Sequence, residues 1–276
     1  MFGGDIPISV GLSSSAALTV GTAFALNEVF NLGYSKLEIA KIAQISEQAY
    51  VQCGLMDQFV CVNGKKDHLV KLDCSTNEFE HIPFLTSDVK IVLLDSTIRS
   101  PLFLSDYNNR RLECQRGVEM VKKHVPEVTG LPDITEAMLN EFVKPHDEIV
   151  YKRCLYVVQE IDRVKKGSID LKGNDFAAFG AKMFETHDGL QNIYEVSCTE
   201  CDFLIDLVKT EKDVLGARIM GGGFGGCTIN LINAASVESV IDKAKSAYEI
   251  KFNKALKAYI VSIGNCVEVV KSVELV

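Results

Sequence analysis

The sequence lacks a long apolar run, an excess of positive charge and a cluster of histidines. Without an apolar run of membrane-spanning length, or the charged-then-apolar order of a signal peptide at residue 1, we expect a protein that does not engage a membrane. The formal net charge of −8 argues against a nucleic-acid-binding surface. The five histidines are dispersed and do not form a metal site.

Cysteine is present but without an obvious framework. The nine cysteines are scattered and odd in number, which predicts reduced thiols in a cytoplasmic protein. Cys198 and Cys201 have the spacing of a metal or redox pair. No second pair or nearby histidine completes a zinc site, and no βαβ redox pattern surrounds them. We therefore expect a structural role for this pair.

The chain has enough length and apolar content for two modest domains, with 276 residues of which 47% are hydrophobic. Ser35 and Glu38 have capping-box spacing at the start of a helix. Strands are predicted at 69–73 and 89–95, with a polar connection at 75–88. The C-terminal part predicts strands near 216–220, 227–232 and 258–263 and helices at 199–209 and 236–254. Together with strand 89–95, this is the β-α-β-β-α-β order of a split βαβ domain.

A turn from Pro7 to Gly11 leads into three serines, residues 13–15, and then into helical apolar spacing from Ala16 to Phe30. Hydroxyls and unpaired N–H groups would cluster at this helix N-terminus, which suits an anion. No Gly-Lys-Ser/Thr follows, so this is not the common phosphate loop. The alternative interpretation is a core helix with a serine cap.

Two further features suggest chemistry. Asp57 has mostly apolar neighbours, which is typical of a general base, although a helix N-cap explains it equally well. Residues 221–226 contain five glycines around Phe224. A tight hairpin needs fewer glycines, so we predict a loop that faces a ligand.

Three segments resemble signatures of the GHMP small-molecule kinases, and of the galactokinase branch in particular. They are Pro-Ile-Ser-Val-Gly-Leu-Ser-Ser-Ser-Ala at 7–16, Cys-Gly-Leu-Met-Asp-Gln-Phe at 53–59, and Arg-Ile-Met-Gly-Gly-Gly-Phe-Gly-Gly-Cys-Thr at 218–228. The resemblance implies a two-domain α+β fold. Residues 1–86 would form an incomplete N-terminal GHMP kinase domain. Residues 87–276 would form a C-terminal domain of split-βαβ, ferredoxin-like type with added helices.

The resemblance also implies a reaction in which ATP and Mg²⁺ serve to phosphorylate the anomeric hydroxyl of galactose, or of a related monosaccharide. The protein would be a monomer or weak oligomer. The implied catalytic base is Asp57. The ATP phosphates would be held by Gly11, Leu12, Ser13, Ser14, Ser15 and Ala16, and the metal by Ser14 and Glu47. The sugar would contact Gly54, Asp57 and Tyr107, and the closing loop would use Gly221, Gly222, Gly223 and Gly225.

Outside that family, Glu47 would be an ordinary solvated carboxylate and Tyr107 a half-buried aromatic. The sequence departs from the family in three places. First, no string resembles the first family signature, Gly-Arg-x-Asn-Leu-Ile-Gly-Glu-His. Second, the link before Cys53 is two residues shorter than in the family. Third, Ser9-Val10 stands where the family has glycine followed by alanine or glycine. We therefore expect little activity from the chain as given. A catalytically impaired ligand-binding or sensor protein, or a fragment of a longer galactokinase, are the alternatives.

Overall fold

The computed structural model of the protein describes residues 3–7, 11–50, 53–99 and 103–270, except for the side chains of 103–105. The chain divides into two compact units. Unit 1 comprises Met1–Leu85 and Ser262–Val276, and unit 2 comprises Thr86–Val261. The sequence division assigned 87–276 to one domain, whereas the residues from 262 onward group with unit 1.

Backbone hydrogen bonds explain why the C-terminal residues belong to unit 1. The N–H of Cys266 donates to the carbonyl of Gly64 at 3.0 Å, and the N–H of Val267 donates to the carbonyl of Cys61 at 2.8 Å. Val267 also packs against the apolar core of the unit. These partners are far apart in the chain, so no local pattern in the sequence indicates the pairing.

Unit 1 consists of three helices followed by a hairpin. They are α1 (Ser14–Phe30), α2 (Lys36–Gln48), α3 (Met56–Asn63), β1 (His68–Leu72) and β2 (Phe79–Pro83). The predicted capping box at α2 is confirmed: Ser35 accepts from the N–H of Glu38, and Glu38 accepts from the N–H of Ser35 at 2.8 Å. The helices pack on one another through Val20, Ile39 and Val62, which are at most 2% exposed.

The polar connection predicted at 75–88 is wrong in part, because β2 lies within it and pairs antiparallel with β1. Ile82 is buried, and the ring of Phe79 meets the ring of Phe59 edge-on at 5.1 Å. Exposed acidic residues, Glu78 and Glu80, make the segment look polar in sequence. Its strand conformation depends on a partner strand and a helix that local composition does not reveal.

The described residues of unit 2 form one sheet and six helices longer than one turn. The elements are β3 (Val89–Asp95), α4 (Phe103–Lys122), α5 (Glu136–Phe142), α6 (Glu148–Lys172), α7 (Phe176–Asn192), α8 (Thr199–Lys209), β4 (Val214–Ile219), β5 (Cys227–Asn233), α9 (Val237–Phe252) and β6 (Lys257–Val261). The sheet order is β4-β5-β3-β6, and every neighbouring pair is antiparallel. The split-βαβ prediction is therefore confirmed, with α8 and α9 as its two crossover helices.

The core of unit 2 lies between the sheet and these helices. Val92 and Leu94 of β3 pack with Leu204 of α8 and with Ile241 and Tyr248 of α9. A second, smaller core lies among α4, α5 and α6.

Helix α7 approaches β4 so closely that both contacting residues are glycines. A Cβ on Gly180 would lie 2.2 Å from the carbonyl oxygen of Leu215, and a Cβ on Gly216 would lie 2.3 Å from the Cα of Gly180. Only a residue without a side chain fits at such a contact.

In the part of the chain that the structure describes, no helix combines the length and the apolar character needed to cross a bilayer.

Candidate active site

The serine-rich helix start in unit 1 has an open N-terminus. Gly11 has φ +84° and Ser13, the residue before α1, has φ +49°. The hydroxyl of Ser13 makes no capping hydrogen bond to the helix. The alternative of a serine-capped helix is therefore not what the structure shows, and among the described residues no side chain caps the first-turn N–H groups, an arrangement that suits an anion. Ser9 and Val10, where the sequence departs from the family, lie outside the described residues.

Glu47, near the end of α2, is the centre of a polar cluster. Its carboxylate accepts from the hydroxyl of Ser15 at 2.9 Å and from the side-chain amide of Gln58 at 2.8 Å. The hydroxyl of Thr19 lies 2.9 Å from the same carboxylate. These donors come from α1 and α3, so the three helices of unit 1 meet at this carboxylate. All three donors are neutral, and among the described residues no cation pairs with Glu47.

The serine that contacts Glu47 in this cluster is not the serine that the sequence predicted as a metal ligand. The sequence predicted Ser14 with Glu47, whereas the structure places Ser15 on that carboxylate. Successive helical residues are about 100° apart around the axis, so neighbouring serines face different directions. Thr19 and Gln58 were missed. The spacing of four between Ser15 and Thr19 is a usable signal, because it places both hydroxyls on one face of α1.

Asp57 lies in the first turn of α3 and is half-buried. Leu55, not Asp57, precedes the helix as its N-cap residue, so the helix-cap alternative does not hold. In the described part of the chain, no side chain or backbone group hydrogen-bonds to the Asp57 carboxylate. A negative charge is favourable at this helix end, and its oxygens remain open to an external proton donor.

The charges of Asp57 and Glu47 both affect the pKa values of two nearby thiols, Cys53 and Cys61. Burial, followed by the charges of Asp57 and Glu47, raises the pKa of Cys61 to about 11. The pKa of Cys53 is also raised, first by burial and then by Glu47, with a smaller contribution from Asp57. Unit 1 thus concentrates two carboxylates near the predicted motif at 53–59, without a compensating cation among its described residues.

The predicted sugar contacts are placed in both units. Gly54 in unit 1 is exposed, and a Cβ built there would meet nothing within 4 Å. Among the described residues, therefore, no contact explains the glycine. Tyr107 in unit 2 is a half-buried residue of α4. Arg110 on the same helix donates to the carbonyl of Tyr194 at 2.7 Å, which is a structural contact within unit 2.

The glycine-rich turn in unit 2 joins β4 to β5. Gly221, Gly223 and Gly225 all have positive φ. A Cβ on Gly223 would lie 2.2 Å from the carbonyl oxygen of Val196, and one on Gly225 would lie 2.7 Å from the carbonyl oxygen of Ile98. These two glycines are therefore explained by contacts inside unit 2. A Cβ on Gly221 would meet open space. The positive φ of Gly221 by itself accounts for a glycine at that position, and the ligand-facing role of Gly221 and Gly222 stays a prediction from the sequence.

A buried polar chain, not found from the sequence, supports the start of this turn. The Nδ1 of His187 accepts from the N–H of Ile219, the last residue of β4, at 3.4 Å. The His187 Nε2 lies 3.3 Å from a carboxylate oxygen of Asp202 without hydrogen-bond alignment, and the hydroxyl of Ser197 donates to that carboxylate at 2.5 Å. Burial opposes ionisation of Asp202, but His187 and Ser197 together hold its pKa below the ordinary value. Because the Ile219 N–H occupies one ring nitrogen, His187 orients the strand end rather than serving as a base.

Comparison with known proteins gives matches over most of the chain. Residues 2–65 match the family described as the GHMP kinases N terminal domain, and residues 168–250 match the GHMP kinases C terminal domain. The galactokinase of Thermotoga neapolitana is 39% identical over 251 residues, covering 90% of this chain and 69% of the relative. The galactokinase of Clostridium acetobutylicum is 37% identical over 268 residues, covering 96% and 69%.

The fold agrees with these relatives. The crystal structure of Lactococcus lactis galactokinase with galactose has a TM-score of 0.90 and 29% identity, covering 95% of this chain and 68% of that one. The mevalonate kinase of L. major shares the fold at a TM-score of 0.58 and 15% identity. The chain therefore belongs to the GHMP kinases. Within them it is of the galactokinase type, a phosphotransferase of the sugar kinase class.

Proposed function

We propose that the chain transfers the γ-phosphoryl group of ATP, with Mg²⁺, to the anomeric hydroxyl of galactose, giving ADP and galactose 1-phosphate. The single observation that carries this proposal is the cluster of Ser15, Thr19 and Gln58 around Glu47, beside the open start of α1. Support for the substrate comes from the names of the curated relatives and from the galactose bound to the L. lactis enzyme.

The donor set at Glu47 fits a magnesium ion. Hydroxyl and carboxylate oxygens are the hard ligands that Mg²⁺ prefers, and it commonly binds through one carboxylate together with substrate phosphates. When bound, Mg²⁺ would neutralise charge on the transferred phosphoryl group. We assign Glu47 and a serine hydroxyl as ligands: Ser15 supplies the hydroxyl nearest to the carboxylate, and Ser14 stays a candidate from sequence. Thr19 and Gln58 fix the orientation of Glu47 by hydrogen bonds.

The start of α1 is proposed to hold the phosphates. Residues 11–16 would contact the phosphates through backbone N–H groups rather than through side chains. The side chain of Ala16 is buried, and the hydroxyl of Ser13 makes no capping hydrogen bond. Such N–H groups, together with the helix dipole, favour negative charge at a helix N-terminus. Phosphoryl transfer depends mainly on alignment and charge stabilisation, and this arrangement supplies both.

Asp57 is proposed to accept the proton of the anomeric hydroxyl. A base needs oxygen lone pairs free for the substrate, and Asp57 has no intramolecular donor among the described residues. Gly54 is proposed to leave room for the sugar next to it, since a Cβ at that position would meet no described residue within 4 Å. The ligand contacts of Tyr107 and of the turn at 221–222 stay predictions from the sequence.

Identifying the phosphorylated product tests the proposed reaction most directly. The protein, at a concentration high enough to detect slow turnover, is incubated with MgATP and galactose and followed by ³¹P NMR. The expected product carries phosphate on the anomeric oxygen, in equal amount to the ADP formed. Phosphate on another hydroxyl, or ADP formed with free phosphate alone, would contradict the proposal. Parallel incubations with N-acetylgalactosamine and with arabinose show which sugar is the preferred acceptor.

A further inference from the structure

Two cysteines lie at the start of α8 in unit 2. Cys198 immediately precedes the helix and is partly exposed, whereas Cys201 lies in the first turn and is 0% exposed. The N–H of Asp202 donates to the carbonyl of Cys198 at 2.9 Å, so both cysteines lie on the same first turn of the helix. Cysteines three residues apart at a helix start satisfy the Cα separation of a disulfide, roughly 4.4–6.8 Å. The pair therefore combines an accessible sulfur with a buried one that can reach it.

The surroundings give the two thiols different reactivity. The hydrogen bond from Cys201 lowers the pKa of Cys198, although burial opposes this. The same hydrogen bond, followed by burial, raises the pKa of Cys201. The thiolate is the nucleophile in thiol chemistry, so Cys198 reacts first. Once its sulfur is modified, its charge and its hydrogen bond no longer hold the proton on Cys201.

Metal binding is a poorer explanation of the pair. A structural zinc site takes four ligands. Within the described ranges of the chain, no three histidine, cysteine or acidic residues come together in a way that could hold a metal ion.

We propose that Cys198 and Cys201 are a redox pair that forms a reversible disulfide by exchange with a low-molecular-weight disulfide. The Cys198 thiolate attacks one sulfur of that disulfide, forming a mixed disulfide and releasing one thiolate. Cys201 then loses its proton and attacks the sulfur of Cys198, releasing the second thiol. Two protein thiols are oxidised to one disulfide, and one small disulfide is reduced to two thiols.

The pair is connected to the glycine-rich turn on both sides. The carbonyl of Val196, two residues before Cys198, accepts from the N–H of Phe224 at 2.7 Å. The hydroxyl of Ser96 interacts with Cys201 and donates to the carbonyl of Gly226 at 2.7 Å. Closing the disulfide removes the thiol hydrogen that Cys201 can donate to the Ser96 hydroxyl. Oxidation is therefore expected to loosen the hydrogen bonds that hold the turn.

Trypsin digestion gives one peptide that contains both cysteines, so their oxidation can be tested directly. Residues 183–209 contain no lysine or arginine before Lys209 and no cysteine besides Cys198 and Cys201. The whole chain is equilibrated in glutathione buffers from fully reduced to fully oxidised, alkylated and digested. The expected result is loss of both alkylation sites and of two hydrogens from this peptide, reversed by dithiothreitol. Complete alkylation of both cysteines in the oxidised buffer overturns the proposal.

Single variants separate the two roles. Cys201→Ser is expected to keep one glutathione on Cys198, because no thiol remains to displace it. Cys198→Ser is expected to leave Cys201 unmodified, because it is buried. Cys74 is exposed and serves as the control, because it shows how far an ordinary accessible thiol reacts with the glutathione disulfide. An adduct on Cys74 without one on Cys198 in the Cys201→Ser variant contradicts the order of attack. Cys201→Ala, with circular dichroism, serves if the serine variant does not fold.

Hydrogen exchange tests the connection to the turn. Faster exchange at Phe224 and Gly226 is expected in the oxidised protein, with α6 unchanged as the internal reference. Equal exchange of the turn in both redox states overturns the coupling. None of these readouts requires kinase activity, so their outcome is independent of the proposed function.

Discussion

The hydroxyl of Ser15 on α1 donates to the carboxylate of Glu47 on α2 at 2.9 Å. This contact links the serine-rich segment to an acidic residue 32 positions further along the chain. It gives the proposed phosphate site and the proposed metal ligand a common location within unit 1. The predictions below test how the residues around this contact and around the glycine-rich turn contribute.

Thr19→Val is expected to destabilise unit 1 by about 1 kcal/mol, because the Glu47 carboxylate loses a hydrogen-bonding partner. Urea denaturation measures the change. Thr22→Val is the matched control: it lies on the same helix, and its hydroxyl donates to the helix carbonyl of Leu18. Equal losses in the two variants would show that the contact with Glu47 contributes nothing.

Asp57→Asn is expected to lower kcat by ~10²–10⁴-fold while leaving MgATP affinity unchanged, since general-base catalysis contributes about that much. Coupled ADP release gives the rate, calorimetry gives the affinity, and circular dichroism checks the fold. A folded variant whose rate stays within a factor of two of the parent would remove Asp57 from the mechanism.

Gly223→Ala and Gly221→Ala form a matched pair in the glycine-rich turn. Both place alanine at positive φ, at a cost of about 1 kcal/mol. Only at position 223 would the new Cβ meet the carbonyl of Val196. We expect a clearly larger fall in the free energy of unfolding for Gly223→Ala. A larger loss for Gly221→Ala would mean that the turn is not held against Val196 as described.

Asp202→Asn tests the polar chain below the turn. The folded pKa of Asp202 lies below its ordinary value of 3.8, so its ionised form stabilises the fold above that pH. This contribution is lost as the pH falls through the folded pKa. The stability difference between parent and variant is therefore expected to be full at a pH well above 3.8 and to shrink as the pH falls through the folded pKa.

Urea titrations across that range measure the difference for Asp202→Asn. Asp206→Asn, an exposed carboxylate on the same helix, is the control. A difference for Asp202→Asn that does not change with pH would show that the charge of Asp202 is not the stabilising feature.

Local patterns accounted for much of the fold. The Ser35–Glu38 capping box depends on residues three apart, and the sequence alone indicated it. The β-α-β-β-α-β order followed from apolar runs that each element carries within itself. Strand β2 and the return of Val267 to unit 1 depend on partners elsewhere in the chain, so composition did not reveal them.

The candidate site divides in the same way. Gly11, Ser13 and Asp57 were found because family motifs mark them directly. Gln58 lies inside one of those motifs, but its amide reaches Glu47 only because α2 and α3 pack together. Which of Ser14 and Ser15 meets that carboxylate depends on the rotation of α1. Gly223 and Gly225 looked ligand-facing in sequence, although their close contacts are with Val196 and Ile98.

Calorimetry with a non-hydrolysable ATP analogue, with and without Mg²⁺, tests the central claim about Glu47. The parent is compared with Glu47→Gln, and Glu28→Gln on α1 is the exposed control. Gly11→Asp, which adds negative charge at the helix start, is expected to weaken binding whether or not Mg²⁺ is present.

The parent and Glu28→Gln should bind the analogue more tightly with Mg²⁺ than without it. Glu47→Gln should lose most of that enhancement, on the order of tenfold or about 1.4 kcal/mol. An enhancement by Mg²⁺ that is the same in Glu47→Gln as in the parent would contradict the assignment of the Ser15–Glu47 cluster as the magnesium-nucleotide site.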